Sequence, residues 1–254
     1  MLDFAVQTAR EAGHILAERF GRVTEVSHKG EINLVTEADL ASERFIIERI
    51  KSYYPRHAIL AEESGASVER GSDYVWIVDP LDGTTNYAHG YPVFAVSIAL
   101  EYRGEIVLGV VYDPMRDELF AAERGAGATL NGRRVRVSDV EDLSKAMLCT
   151  GFPYDVRERG ELIGHFRNFI MTAQAVRRDG SAALDLAYVA CGRFDGFWEE
   201  GLNPWDVAAG VLLVEEAGGR VTDYAGHPFS SYYAPVLASN GLIHEAMMRV
   251  LAPT

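Results

Sequence analysis

The chain has 254 residues, 48% of them hydrophobic, enough to bury a full core as one large domain or as two tightly joined halves. Its 24 Lys and Arg stand against 37 Asp and Glu, a formal charge of -13, which argues against a protein that grips nucleic acid through phosphate contacts. Asp3, Arg10, Glu11 and Glu18 interrupt any signal-peptide core at the N-terminus, and no later apolar run approaches membrane-spanning length, so a cytoplasmic location is expected.

Phe4, Ala5, Ala9, Ala12, Ile15, Leu16 and Phe20 recur at helical spacing, with Gly21 where a stop belongs. A second helix starts near Thr36, runs through Leu40, Phe45, Ile46, Ile47 and Ile50, and is broken by Pro55. The segment between them, "HKGEINLVTEAD", reads as extended. Short runs rich in β-branched residues follow: "AIL" before Glu62, "YVWIV" before Asp79, "VFAVSIAL", "EIVLGVVY" and "ELFAAE". "LNGRRVRV" predicts a hairpin turning at Asn131-Gly132. From about Leu143 the rhythm changes to strand alternating with helix, the helical patterns falling at about 161–174, 181–192, 206–217 and 243–251. The expected architecture is therefore α/β, an α+β half over 1–142 with a largely antiparallel sheet and an α/β half over 143–254. With no linker between them, they should form one unit with its site in the cleft. Cys149 and Cys191 have no partner pattern for zinc or a disulfide framework and read as reduced core thiols.

The stretch "WIVDPLDGTTNYAHG" places Asp79 and Asp82 at the end of an apolar run. An aspartate closing a strand and an Asp-Gly turn are both common. Their company points further: Glu62-Glu63 close the preceding run, and Trp205-Asp206 open a late helix. If neighbouring strands end on the same side, Glu62, Asp79 and Asp82 converge. Carboxylates crowded into a small site repel one another unless a cation joins them, and an all-oxygen donor set suits magnesium. Gly83 permits a sharp turn, and the N–H groups of Gly83 and Thr84 can face a phosphate if "TTN" opens a helical turn.

Together with "NPWDVAAGVLLVEEAGG", "AEES", "NLVTEAD" and "GSAALDLAYVACGRFDGFWEE", this stretch resembles the inositol monophosphatase family of magnesium-dependent, lithium-sensitive phosphatases, in order along nearly the whole chain. The resemblance, nearest to the bacterial members, implies a layered α-β-α-β-α sandwich and a homodimer. It implies two or three magnesium ions held by Glu62, Asp79, Asp82, Asp206 and the Leu81 carbonyl, with Glu63 in support. Asp39 and Thr84 would activate the attacking water, and Lys29 would stand near it. Gly180, Ser181, Ala182 and Glu199 would meet the hydroxyls of the substrate, with Asp82 and Asp206 also bordering it. Plainer readings remain open for several of these: Thr36-x-x-Asp39 is also a helix capping box, and Glu199, Glu200 and Lys29 could be surface charge. Trp205 reads as a packing residue. Many relatives carry Asp where this chain has Asn33, which leaves any role for that position in weak metal binding open.

The implied reaction is hydrolysis of myo-inositol 1-phosphate by a metal-activated water, with no phosphoenzyme. The same chemistry on fructose 1,6-bisphosphate, histidinol phosphate, a nucleotide 3'-phosphate or NADP is the alternative, because metal ligands alone do not separate these substrates. An added regulatory role, through contact with the transcription machinery, is the alternative of another class.

Overall fold

The computed structural model describes residues 1–22, 26–28, 34–67, 72–153, 156, 160–230, 232 and 235–252. The N-terminal periodicity forms α1 (Leu2–Arg19), whose buried face includes Ala5, Ala9, Ala12 and Leu16. The segment expected to be extended contributes a two-stranded hairpin of β1 (Val26–His28) and β2 (Leu34–Thr36); Lys29 and Asn33 lie outside the described residues. Helix α2 (Glu37–Tyr53) begins at the expected capping box. The Thr36 N–H donates to Asp39 Oδ2 at 2.9 Å and the Ala38 N–H donates to Thr36 Oγ1 at 3.2 Å.

Next come β3 (Ala58–Ala61), β4 (Gly65–Ser67), β5 (Tyr74–Asp82), α3 (Thr84–Ala88), β6 (Ala95–Tyr102), β7 (Glu105–Asp113), β8 (Glu118–Glu123), β9 (Gly127–Leu130) and β10 (Arg133–Arg134). Their strands form an eight-stranded sheet in the order β10-β9-β8-β7-β6-β5-β3-β4, antiparallel throughout except for the pair β3/β5. Asn131 and Gly132 make the turn between β9 and β10, at φ 49° and 75°.

The rest of the chain supplies β11 (Met147–Thr150), α4 (Gly160–Ile170), β12 (Ala175–Arg177), α5 (Ala182–Ala190), β13 (Gly196–Glu199), α6 (Pro204–Glu216), β14 (Arg220–Thr222), β15 (Val236–Ser239) and α7 (His244–Leu251). Here the sheet is mixed, in the order β12-β11-β13-β15-β14: β11 is parallel to both neighbours and β15 antiparallel to both. Helix α4 stops at Ile170 rather than near 174, because the Gln174 N–H already donates to the Ala146 carbonyl as the chain enters β12.

Three apolar cores separate five layers. On the outer face of the large sheet, Ala12, Leu16, Ile46 and Ile50 of α1 and α2 pack with Trp76, Val78, Ile98 and Val110. Between the sheets, α5 and α6 pack against Ile77, Ala99, Val111 and Phe120 on one side and Cys149, Phe197 and Ala238 on the other. Beyond the small sheet, Phe169 of α4 and Met247 of α7 meet Leu148, Trp198 and Leu237. The order is α-β-α-β-α. Burial of the large sheet on both faces explains why "YVWIV" and "FAVSIAL" read as unbroken apolar runs: Trp76 and Val78 face one core and Ile77 the other. The middle layer is rich in alanine, with Ala183, Ala187, Ala190, Ala208 and Ala209 fully buried, so two helices fit between the sheets. Among the described residues no helix is long and apolar enough to cross a membrane.

Candidate active site

The parallel pair β3/β5 creates the site. Parallel strands end on the same side, and the register Ala61↔Val78 carries on into a hydrogen bond from the Glu62 N–H to the Val78 carbonyl at 3.3 Å. Glu62 therefore leaves β3 beside Asp79 of β5. The pairing of β5 with β6 shifts register between Asp79 and Asp82, where Pro80 removes a ladder donor. That irregularity is pinned: the Leu81 N–H donates to Asp79 Oδ1 at 2.9 Å, and Ser42 Oγ donates to the Pro80 carbonyl at 2.9 Å. After Asp82 the chain turns at Gly83, at φ 99°, where a side-chain Cβ would lie 2.9 Å from the Val93 carbonyl oxygen. Helix α3 starts immediately, so "TTN" does open a helical turn.

Two further elements close in from the second half of the chain. Asp206 is the third residue of α6 and accepts the Asn203 N–H at 2.7 Å in a capping box. Asp82 meets the start of α5, where its Oδ2 accepts from Ser181 Oγ at 2.6 Å and from the Ala183 N–H at 2.8 Å. One oxygen each of Asp79, Asp82 and Asp206 then lies within 4.8 Å of the others. Burial raises all three pKa values, and repulsion from neighbouring carboxylates adds to it at Asp79 and Asp206. Asp79 is pushed well up by burial, then by the charges of Glu62, Asp82 and Asp206. Burial lifts Asp82 to about 6 against the opposing Ser181 and Ala183 bonds. Asp206 is raised by burial and by Asp82, with the Asn203 N–H opposing.

Asp39 reaches the site from α2. Its Oδ2 closes the capping box, and its Oδ1 accepts from Thr84 Oγ1 at 3.0 Å, so the structural and the site-facing roles coexist in one carboxylate. Thr84 Oγ1 also lies 3.2 Å from the Leu81 carbonyl oxygen. The Glu63 N–H donates to Glu43 Oε2 at 2.8 Å, anchoring the turn that carries Glu62. A cavity of about 490 Å³ is lined by Glu62, Asp79, Leu81, Asp82, Gly83 and Thr84 and, from the second half, by Gly180, Ser181, Ala182, Glu199 and Asp206. Glu199 is buried rather than surface charge, and lies so close over Gly151 that a Cβ there would overlap its carboxylate. Its pKa is raised well above the usual range by burial and then by Asp206, with Arg178 opposing. Trp205 packs on the middle-layer core, its carbonyl accepting from Ser97 Oγ at 3.2 Å. Ser181, expected among the substrate contacts, donates its hydroxyl to Asp82.

Sequence reasoning missed several residues that line or brace the cavity. Asn203 caps α6 and orients Asp206. Asn86 ties α3 to the Gly180 turn by donating to the Asp179 carbonyl at 2.8 Å. Arg178 and Asp185 also face the cavity. The available signal for Asp185 was a lone charge in the otherwise apolar helix "AALDLAYVA".

The donor set fits a hard divalent cation. It is all oxygen, and a bound cation would offset the burial and the repulsion that disfavour charge on these aspartates. The sequence matches the inositol monophosphatase family over residues 1–253. The chain belongs to that family. It is 47% identical over 255 residues to the inositol-1-monophosphatase of a Synechocystis species, covering 100% of this chain and 89% of that one. Identity to the Nus factor SuhB of Pseudomonas aeruginosa is 45% over 260 residues, covering 100% and 96%. The crystal structure of the extragenic suppressor protein suhB from Bartonella henselae superposes with a TM-score of 0.94 at 45% identity, covering 98% and 97%. The expected fold and family are thus both found.

Proposed function

We propose that the protein is a magnesium-dependent phosphomonoesterase of the cytoplasm that hydrolyses inositol monophosphate, myo-inositol 1-phosphate foremost, to myo-inositol and phosphate. The convergence of the Asp79, Asp82 and Asp206 carboxylates within 4.8 Å in one cavity, in a chain of this family, carries this reading. Glu62, Asp79, Asp82, Asp206 and the Leu81 carbonyl would hold two or three magnesium ions. When bound, the ions supply Lewis acidity toward the phosphoryl oxygens and acidify water. The chain's own groups do the rest. Gly83 and Thr84 turn their N–H groups toward the phosphate. Thr84 Oγ takes a proton from the attacking water while passing its own toward Asp39 Oδ1, the contact already 3.0 Å long. Glu63, held through its N–H by Glu43, would support Glu62. Glu199 and the Gly180-Ser181-Ala182 turn border the leaving group.

Chelation tests the reading directly: phosphatase activity should vanish with exhaustive removal of divalent ions and return with magnesium, and activity that survives chelation overturns it. Lithium should inhibit by taking a metal position with too little charge. Comparing kcat/KM for inositol phosphate with that for fructose 1,6-bisphosphate, histidinol phosphate, a nucleotide 3'-phosphate and NADP decides among substrates. Ile163 and Ile170 of α4 and the adjoining Met171 are exposed apolar residues and support a homodimer.

An added regulatory role is favoured by the relatives named Nus factor SuhB. It would act alongside catalysis, since all the residues read as metal ligands are present in the chain. Capture of transcription proteins should then be unchanged by Asp82→Asn, whereas loss of capture in that variant would tie binding to the metal site.

A further inference from the structure

Asp185 is the one charged residue of α5, 1% exposed and lining the cavity. Among the described residues its Oδ1 has no hydrogen-bond partner. Its cavity neighbours are satisfied: Asp79 accepts from the Leu81 N–H, Asp82 from Ser181 and Ala183, and Asp206 from Asn203. A buried acceptor left unpaired is costly, and such groups in native proteins ordinarily meet a ligand or an ordered water.

The surroundings indicate what would complete the bond. Asp179, Glu199 and Asp82 all lie close enough to disfavour charge on Asp185, and Arg178 is the cation that opposes them. This part of the cavity is therefore rich in acceptors and poor in donors. Asp82, Glu199 and Asp185 line the same cavity, so a phosphoryl group held at the aspartate cluster leaves space for its leaving group beside Glu199 and Asp185. A flat aryl group offers these carboxylates nothing, whereas a polyol offers several hydroxyl donors.

We propose that Asp185 is a specificity-determining residue whose free carboxylate oxygen, working with Glu199, accepts a hydrogen bond from a hydroxyl of the substrate's polyol leaving group. The proposal rests on the phosphatase reading above. It is tested by measuring kcat/KM for myo-inositol 1-phosphate and for p-nitrophenyl phosphate, at saturating magnesium, in wild type, Asp185→Asn and Asp185→Ala, with thermal unfolding of each. The ratio of the two constants, inositol phosphate over aryl phosphate, should fall about tenfold in Asp185→Ala, as expected for the loss of a buried hydrogen bond. In Asp185→Asn, whose amide oxygen is a weaker acceptor, it should fall about threefold. A purely structural carboxylate, or one satisfied by water, would lower both constants alike or neither. A ratio within twofold of wild type in the folded Asn variant overturns the proposal even if the Ala variant fails to fold. A wild type inert toward both substrates removes the phosphatase reading and this proposal with it, whereas an active wild type with an unmoved ratio removes this proposal alone.

Discussion

The Asp39 carboxylate shows how one side chain serves fold and site together. Its two oxygens face different masters: Oδ2 caps α2 and Oδ1 accepts from Thr84. Thr84→Ser keeps the hydroxyl and should retain activity within about tenfold, whereas Thr84→Ala should lose about a hundredfold or more in kcat, the usual cost of removing a proton-transfer group. Steady-state kinetics on the two variants checks this, and equal activity would leave the threonine hydroxyl with a packing role. Asp82→Asn should nearly abolish turnover while the protein stays folded, a loss of several kcal/mol in the barrier, because it removes an anionic ligand from a site built on charge. Wild-type turnover in a folded Asp82→Asn protein would mean the metals sit elsewhere. Asp79, Asp82 and Asp206 were legible in the sequence because they stand at ends of elements, where polar groups break an apolar pattern. Asp185 was harder to read. Its neighbours in the chain are all core residues, and only the folded cavity reveals that its oxygen lacks a partner.

At the scale of elements, period and punctuation announced most helices and strands, but beyond the Asn131-Gly132 hairpin they did not say which strands pair. The single parallel pair in the large sheet, β3/β5, is what brings Glu62 beside Asp79, and nothing in "AIL" or "YVWIV" distinguishes a parallel partner from an antiparallel one. The short strand β12 was missed, since three residues carry no periodicity. His244 illustrates how elements are tied together by a group the sequence left unassigned. Fully buried at the start of α7, it lies between Thr222 of β14, 2.9 Å from Nε2, and Ser239 of β15, 2.8 Å from Nδ1. Burial, with Arg220 adding to it, pulls its pKa from 6.5 down to about 4. Between those values the unfolded chain binds the proton and the folded one does not, so stability is full above about 6.5 and is lost as pH falls toward 4. In thermal unfolding followed from pH 7 to pH 4, His244→Gln should be destabilised relative to wild type at neutral pH, and the gap should narrow on acidification. A gap that widens as pH falls would mean the imidazole is charged in the folded protein.

The whole molecule is two sheets held apart and joined by α5 and α6, and the site lies where those two helices meet the large sheet. Asp79 and Asp82 come from the first sheet, Asp206 from α6, and Ser181 from the start of α5. A cation bound among them bridges parts of the chain that fold far apart in sequence. It should therefore stabilise the whole fold, by about 2.7 kcal/mol at a free concentration a hundred times its Kd. The same carboxylates fix how that stabilisation varies with pH. In the metal-free protein burial raises Asp82 from 3.8 to about 6, and raises Asp79 and Asp206 as well. A carboxylate whose folded pKa lies above its unfolded value binds more protons folded than unfolded inside that window, so its contribution to stability is present at low pH and is lost as pH rises through the folded pKa. A divalent ion requires the same groups deprotonated and competes with those protons. Magnesium should accordingly add little to Tm near pH 4.5, and its increment should grow as pH passes about 6 and continue to rise toward pH 8. Taking the difference between magnesium-loaded and chelated samples at each pH cancels the titration of His244 and of surface groups, which both samples share. An increment that is flat or shrinks with rising pH would mean that magnesium is held by groups other than the buried aspartates.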